Sequence, residues 1–240
     1  MLDRTSAFLV ERYYLTQEHR VATGNQIYAM TKLGQPTDAL TLFHDQFYTL
    51  EKNIAAYLKK EVVKHPMWKG YLKGVKGIGP TFAAALLSSI DITRAQHASS
   101  VWKYCGLSVD PETGSAERRT KGEKISWNPF LKKTCWLIGE SFVKVKGEYR
   151  QVYDTSKAFY QMKFPAIVDS GRKTKKGTPI MLYTPGHIHS MAKRRAAKMF
   201  LSHFWAKWRE MEGLPVSEPF GHRIGALAQE TRLTDLEGTL

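Results

Sequence analysis

The stretch from Tyr71 to Ile92, YLKGVKGIGPTFAAALLSSIDI, decides how the rest of the chain is interpreted. At its centre is the tetrapeptide Gly77-Ile78-Gly79-Pro80, and an alanine-rich apolar run that predicts a helix follows directly. Glycine tolerates positive φ and lets another backbone approach, and the fixed φ of proline suits the first position of a helix. We therefore predict a turn that leads into a helix N-terminus.

This turn is a candidate phosphate-binding site, because the first N–H groups of a helix lack partners within the helix and lie at the positive end of its dipole. The sequence resembles the helix-hairpin-helix motif of DNA-binding proteins, in which a Gly-x-Gly turn grips the nucleic-acid backbone. That resemblance implies phosphate contacts from Lys76, Gly77, Gly79 and Thr81. Such contacts position a protein without reading bases. The alternative is a tight turn between helices that serves only packing.

The net charge of +14, from 36 Lys and Arg against 22 Asp and Glu, is concentrated in two stretches. Residues 116–133 contribute +4 and residues 171–198 contribute +8. Concentrated positive charge favours a polyanionic partner, nucleic acid first and an anionic membrane second. No apolar run approaches the roughly 18 residues that a membrane span needs. The N-terminus also lacks the apolar core of a signal peptide, so we expect a cytoplasmic protein without a membrane partner.

Neither a metal nor a cofactor is expected. The only cysteines, Cys105 and Cys135, suit neither a disulfide framework nor a cysteine zinc site, and we expect two buried thiols. The acidic residues show no pairing pattern for Mg²⁺, and the histidines match no strong zinc spacing. We expect His203 to be a hydrogen-bonded core residue. His187 and His189 either join a phosphate-binding surface or act as acid and base.

Helical periodicity accounts for most of the chain, so we predict a mainly α fold. Residues 2–32 and the segment that ends at Pro66 read as two long helices joined by a turn at Gly34. Together they predict a long antiparallel helical hairpin over residues 1–66. The apolar seam of its second helix consists of Leu40, Phe43, Phe47, Leu50, Ile54 and Tyr57. This seam either closes within the hairpin or pairs with another subunit as a coiled-coil arm, which would give a homo-oligomer.

A compact helical domain that contains the helix-hairpin-helix motif is predicted over residues 67–213, with a tail at 214–240. We expect helices at residues 98–104, 131–145, 149–162 and 187–211, and Asn128 is the expected cap of the second of these. The aromatic residues of the third are expected in the core rather than as base-stacking platforms.

Two loops are predicted between these helices, a polar one at residues 108–120 and a basic one at residues 167–183. We expect the basic side chains of the loop regions and of the last helix to contact phosphates. These residues are Arg118, Arg119, Lys121, Lys124, Lys173, Lys175, Lys176, Lys193, Arg194 and Arg195.

The order of the motifs resembles a known family. The segment 75–92 is followed by Trp-Lys-Tyr-Cys-Gly-Leu at residues 102–107, by a polar loop that contains glycine, and by residues 121–131. Over roughly residues 70–145 this order is similar to the C-terminal domain of the bridge-RNA-guided insertion-sequence transposases. In that family a RuvC-like domain is joined, through a coiled-coil linker, to a helix-hairpin-helix domain that carries a serine nucleophile. The predicted hairpin is similar to the coiled-coil linker.

Two departures from the family pattern limit what the resemblance implies. The RuvC-like domain, with its metal-binding acidic residues, has no counterpart here. The family's Ser-Gly pair is replaced by Glu112-Thr113-Gly114-Ser115, so the resemblance implies Ser115 or Thr113 as the nucleophile.

We therefore expect a transposase-related DNA-binding protein that contacts the phosphate backbone through the helix-hairpin-helix turn and the basic loops. One alternative is a serine-type recombinase or strand-transfer subunit that lacks its metal-nuclease domain. The others are an oligomeric scaffold and an RNA-binding protein.

Overall fold

A computed structural model of the chain describes residues 1–109, 116, 119, 122, 124–174 and 176–217. This part of the chain is mainly helical, which confirms the predicted fold class. In order, its elements are α1 (Arg4–Lys32), α2 (Asp38–Val62), α3 (Pro66–Gly70), a 3-10 turn (Leu72–Gly74), α4 (Pro80–Ser89), α5 (Ala98–Tyr104), α6 (Pro129–Lys144), α7 (Glu148–Lys163), β1 (Val168–Lys173), β2 (Pro179–Leu182) and α8 (Pro185–Met211).

The chain divides into two compact units. The first contains Met1–Lys73 and Gly79–Asp91, which carry α1 to α4. The second contains Gly74–Ile78 and the chain from Ile92 onwards, which carries α5 to α8 and both strands. Within the Gly-Ile-Gly-Pro tetrapeptide, Gly77 and Ile78 therefore belong to the second unit, and Gly79 and Pro80 belong to the first.

In the first unit, α1 and α2 pack antiparallel. The carboxylate of Glu51 on α2 accepts hydrogen bonds from Gln17 at 2.8 Å and from Arg20 at 2.6 Å, both on α1. Further from the N-terminus of α1, the His44 ring of α2 lies against Gly24. Although burial raises the pKa of Glu51, the hydrogen bonds from Arg20 and Gln17 lower it, and the net shift is downward. The buried carboxylate is therefore held as an anion between the two helices.

The apolar seam predicted on α2 closes only in part within the hairpin, where Phe47 stacks on the His19 ring of α1 at 5.5 Å between ring centres. Of its six residues only Ile54 is buried, whereas Phe43 is 52% exposed and Leu50 is 49% exposed. The buried face uses Leu58 and Val62 instead. The seam is therefore shared between the hairpin and the outer surface of α2, because periodicity alone does not say which apolar positions face α1. Pairing of the exposed stripe with another subunit stays a prediction.

Helix α4 begins at Pro80, as predicted, and it belongs to the same unit as the hairpin. Its residues from Ala83 to Ser88 are all buried. The backbone N–H of Leu2 donates to the carbonyl of Leu87 at 2.8 Å, which ties the start of the chain to this helix. The alanines keep α4 thin, and helices can approach closely where side chains are small.

The second unit is built around α8. Thr184 caps this helix by accepting a hydrogen bond from the N–H of His187, and Gly213, at φ +65°, follows its end. These signals confirm the predicted start within two residues and the predicted stop. The largest buried side chains of α8 are aromatic, and they are Phe200, Phe204, Trp205 and Trp208.

Burial on α8 does not follow a single apolar stripe. Phe200, Leu201 and Trp205 are fully buried. Lys193 is also buried, and Arg209 donates to the backbone carbonyls of Ile92 and Ala95. Buried residues therefore lie on more than one side of this helix.

The prediction of a basic loop at residues 167–183 is wrong, since β1 and β2 form an antiparallel hairpin there. Val168 pairs with Leu182 and Lys173 pairs with Pro179, with an irregular register between Asp169 and Lys173. Gly171 adopts φ +70° inside this irregular segment. The irregularity and the polar composition remove the alternating pattern by which a strand is recognised in a sequence.

Within the described residues, none of the helices combines the length and the apolar character of a membrane span.

Candidate nucleic-acid interface

Gly77 is required by packing in the second unit. It adopts φ +97°, and its carbonyl accepts a hydrogen bond from the Ser141 hydroxyl of α6 at 2.7 Å. A Cβ at this position would lie 3.0 Å from a methyl group of Val145 and 3.1 Å from the Phe142 ring. Both the backbone angle and these contacts select glycine.

Gly79 has a different role, as the N-cap of α4 in the first unit. Its φ of −89° is open to any residue, and a Cβ here would have no atom within 4 Å. No side chain caps α4. Burial and then the charge of Glu51 raise the pKa of the Tyr13 phenol. A hydrogen bond with the Thr81 side chain lowers this pKa, but its effect is smaller. The uncapped helix start and the open space at Gly79 leave backbone N–H groups accessible to an anion.

The second predicted helix N-terminus, at α6, is capped as expected. The side-chain oxygen of Asn128 accepts hydrogen bonds from the N–H groups of Phe130 at 2.9 Å and of Leu131 at 3.2 Å. These two donors already have a protein acceptor, so this helix start offers less to a phosphate than α4 does. Beside it, the Lys132 ammonium lies 4.2 Å from the centre of the Trp127 ring.

The basic residues of α8 differ sharply in their surroundings. The ammonium of Lys193, which is buried, forms an ion pair with Glu140 of α6 and lies 4.9 Å from the centre of the Trp136 ring. The guanidinium of Arg195 lies 5.8 Å from the centre of the Phe159 ring of α7. Lys193 therefore acts within the fold, where it fixes α8 against α6.

Arg194 and Lys198 are half-buried cations one helical turn apart on α8. Burial lowers the pKa of both groups, and the charge of Arg194 lowers the pKa of Lys198 further. The Lys198 ammonium lies 4.5 Å from the centre of the Trp102 ring of α5. Among the described residues neither cation has a carboxylate within ion-pair distance. The prediction missed Lys198 as a site residue, although its spacing of four from Arg194 signals a shared face.

The three histidines of α8 all have hydrogen-bond partners through Nδ1. His203 pairs with the Tyr149 hydroxyl at 2.8 Å, so the predicted hydrogen bond is present, although the ring is half-buried rather than in the core. His189 pairs with the Tyr153 hydroxyl at 2.7 Å, and His187 accepts the N–H of Tyr183 at 2.9 Å.

The environment of His189 favours the neutral imidazole. Burial and then the charge of Lys193 lower its pKa, while Glu140 acts in the opposite direction. At neutral pH this ring is therefore a weak candidate for a cation that contacts phosphate.

The two cysteines are buried, as predicted. A hydrogen bond with Cys135, together with burial, raises the pKa of the Cys105 thiol. Within the described ranges no three His, Cys, Asp or Glu side chains are grouped in a way that could hold a metal ion.

The remaining predicted contacts fall into two groups. Lys76, Arg119, Lys124, Lys173 and Lys176 are exposed in the second unit. Thr113, Ser115, Arg118, Lys121 and Lys175 lie outside the described residues.

Residues 70–154 match the model of a family described as "Transposase IS116/IS110/IS902 family". This transposase-like segment, residues 70–154, covers about a third of the chain and runs from the end of α3 into α7. It supports a transposase-related function, and interaction with nucleic acid is the general property of such proteins. No curated protein and no solved structure matches the chain.

The different roles of the two glycines predict different outcomes for alanine substitution. Gly77→Ala should lower the free energy of unfolding by about 1–2 kcal/mol, since a residue with a Cβ is strained at positive φ. Gly79→Ala should change it by less than about 0.5 kcal/mol, because φ is ordinary and the space is open. Urea denaturation of both variants measures this difference, and equal losses would contradict the assignment.

Proposed function

We propose that the chain is a transposase-related DNA-binding protein that contacts the phosphate backbone. The observation that carries the proposal is the pair Arg194 and Lys198, two half-buried cations without a carboxylate partner among the described residues. Burying like charges side by side costs free energy that an anion would recover. A DNA phosphate is the anion that agrees with the transposase-like segment in the same chain.

The side chains around this pair suit a phosphate ligand. Arginine offers a planar fork of N–H donors, and lysine adds a mobile point charge. Trp102 holds the Lys198 stem in place, and its indole N–H donates to the carbonyl of Lys198 at 3.1 Å. In this proposal Lys193 contributes indirectly, since its ion pair with Glu140 fixes the helix on which Arg194 stands.

The start of α4 is the second phosphate contact in the proposal. Its support is the uncapped N-terminus and the open space at Gly79, where a backbone phosphate could approach the helix closely. Lys76, Arg119 and Lys124, all exposed, would add long-range attraction. None of these contacts reads a base, so the proposed binding depends on the backbone more than on sequence.

Salt dependence tests the proposal directly. A log-log plot of the binding constant for duplex DNA against salt concentration should have a slope of about −0.9 for each phosphate that is neutralised. Arg194→Ala and Lys198→Ala should each weaken binding and make that slope shallower by about 1. Fluorescence anisotropy with a labelled duplex provides the binding constants.

Lys207→Ala is the matched control, because the Lys207 ammonium on the same helix already pairs with Glu210 at 3.0 Å. It removes the same charge and should leave the slope unchanged. A slope near zero for the unmodified chain would overturn the proposal. Light scattering on the same samples gives the stoichiometry and shows whether two copies of the chain associate.

A second candidate function is phosphoryl transfer. It is supported by the position of Thr113 and Ser115 inside the transposase-like segment, where the family resemblance implies a serine nucleophile. In such a step the hydroxyl oxygen would attack phosphorus, lose its proton, and displace the 3′ or 5′ oxygen of the DNA strand, leaving a protein–DNA phosphoester. The other catalytic groups would then come from another domain or chain.

Covalent capture separates this candidate from simple binding. If Ser115 is the nucleophile, denaturing electrophoresis of the chain incubated with labelled DNA should show an adduct. Ser115→Ala should abolish that adduct and Thr113→Ala should not. Loss of the adduct in the Thr113 variant alone would assign the role to the threonine, and the absence of an adduct in all three proteins would leave binding as the function.

A further inference from the structure

The antiparallel hairpin of β1 and β2 forms a basic ribbon, residues 168–182 apart from Lys175. Most of its residues are exposed: this holds for every residue of β1 except Ser170, and β2 alternates between exposed and half-buried positions. A two-stranded hairpin with so little packed surface is marginally stable in water, and a partner that covers it would stabilise it.

The end of the ribbon is a closed turn. The N–H of Thr174 donates to the carbonyl of Thr178 at 2.8 Å, and the N–H of Gly177 donates to the carbonyl of Thr174 at 2.9 Å. Gly177 adopts φ +82°, which this turn requires. Backbone hydrogen bonds therefore join the two sides of the ribbon as far as Thr174 and Thr178.

Positive charge is concentrated at this end. Arg172, Lys173 and Lys176 are exposed, and in the described part of the chain none of them forms an ion pair. The ribbon carries one acidic residue, Asp169, whose carboxylate accepts the N–H of Gly171 at 2.9 Å. A strand pair with this charge complements the phosphates that line a nucleic-acid groove.

We propose that the basic ribbon enters the major groove of B-form DNA. This inference rests on the proposed DNA binding and deepens it, because it names the form of nucleic acid. Two paired strands lie about 4.8 Å apart, and the six residues of β1 extend about 20 Å. The B-form major groove, about 12 Å wide, admits such a ribbon without distortion, whereas the minor groove, about 6 Å wide, admits strands only where the duplex is kinked or widened. The major groove of A-form RNA is deep and narrow, so it excludes the ribbon.

Glucosylated DNA tests the proposal without changing the backbone charge. A mixed-sequence duplex is compared with the same duplex in which every cytosine is glucosylated 5-hydroxymethylcytosine, which fills the major groove with sugar. The unmodified chain should bind the glucosylated duplex, and the RNA duplex of the same sequence, about tenfold more weakly than plain DNA.

The matching variant is Arg172→Ala/Lys173→Ala/Lys176→Ala. It should bind plain DNA about tenfold more weakly and should no longer distinguish plain from glucosylated DNA. The control Lys52→Ala/Lys59→Ala/Lys60→Ala removes the same charge from exposed positions of α2 and should keep the preference for plain DNA. Because the comparison of duplexes needs only the unmodified chain, the test holds even where a variant folds poorly.

The outcomes separate the two proposals. Equal binding of plain and glucosylated DNA by the unmodified chain overturns the ribbon proposal alone. The ribbon proposal is also overturned if the ribbon variant loses as much affinity for glucosylated DNA as for plain DNA. Absence of binding to every duplex overturns the proposed function, and the ribbon proposal falls with it.

Discussion

Packing of α8 determines which of its basic side chains are paired within the fold. Trp205 donates its indole N–H to the carbonyl of Ala95 at 2.7 Å, and Arg209 donates to the same carbonyl, so the helix is fixed deep in the second unit. Lys193 is buried on the same helix, and its ammonium forms an ion pair with Glu140. The next residue, Arg194, and its neighbour Lys198 have no such partner among the described residues. Packing thus divides a continuous basic sequence into one cation that is paired within the fold and two that have no carboxylate partner in the described part of the chain.

The two glycines of the Gly-Ile-Gly-Pro tetrapeptide also have different roles. Gly77 is explained by its positive φ and by its contacts with α6, so its presence needs no ligand. Gly79 has neither constraint, and the absence of a side chain there leaves the start of α4 open. A motif that resembles a phosphate clamp therefore contains one residue required for packing and one residue compatible with binding.

Local signals in the sequence predicted most of the fold. The helix cap at Asn128, the proline that begins α4 and the end of α8 at Met211 are read from neighbouring residues, and the structure has them where expected. Long-range features were not predictable. The partner of Lys193 lies 53 residues away, and whether that lysine or its neighbour is buried depends on how α6 packs. The strands were missed because a residue with positive φ interrupts their register.

Chemical footprinting of lysines tests most directly whether the cations of α8 are divided in this way. Acetylation by an excess of acetic anhydride, with and without duplex DNA, is followed at each lysine by mass spectrometry. In the free chain Lys198 and the exposed Lys173 should react and Lys193 should not, and DNA should protect Lys198 and Lys173. The account would be contradicted if Lys193 reacted as readily as Lys173 and became protected by DNA, or if DNA left the reactivity of Lys198 unchanged.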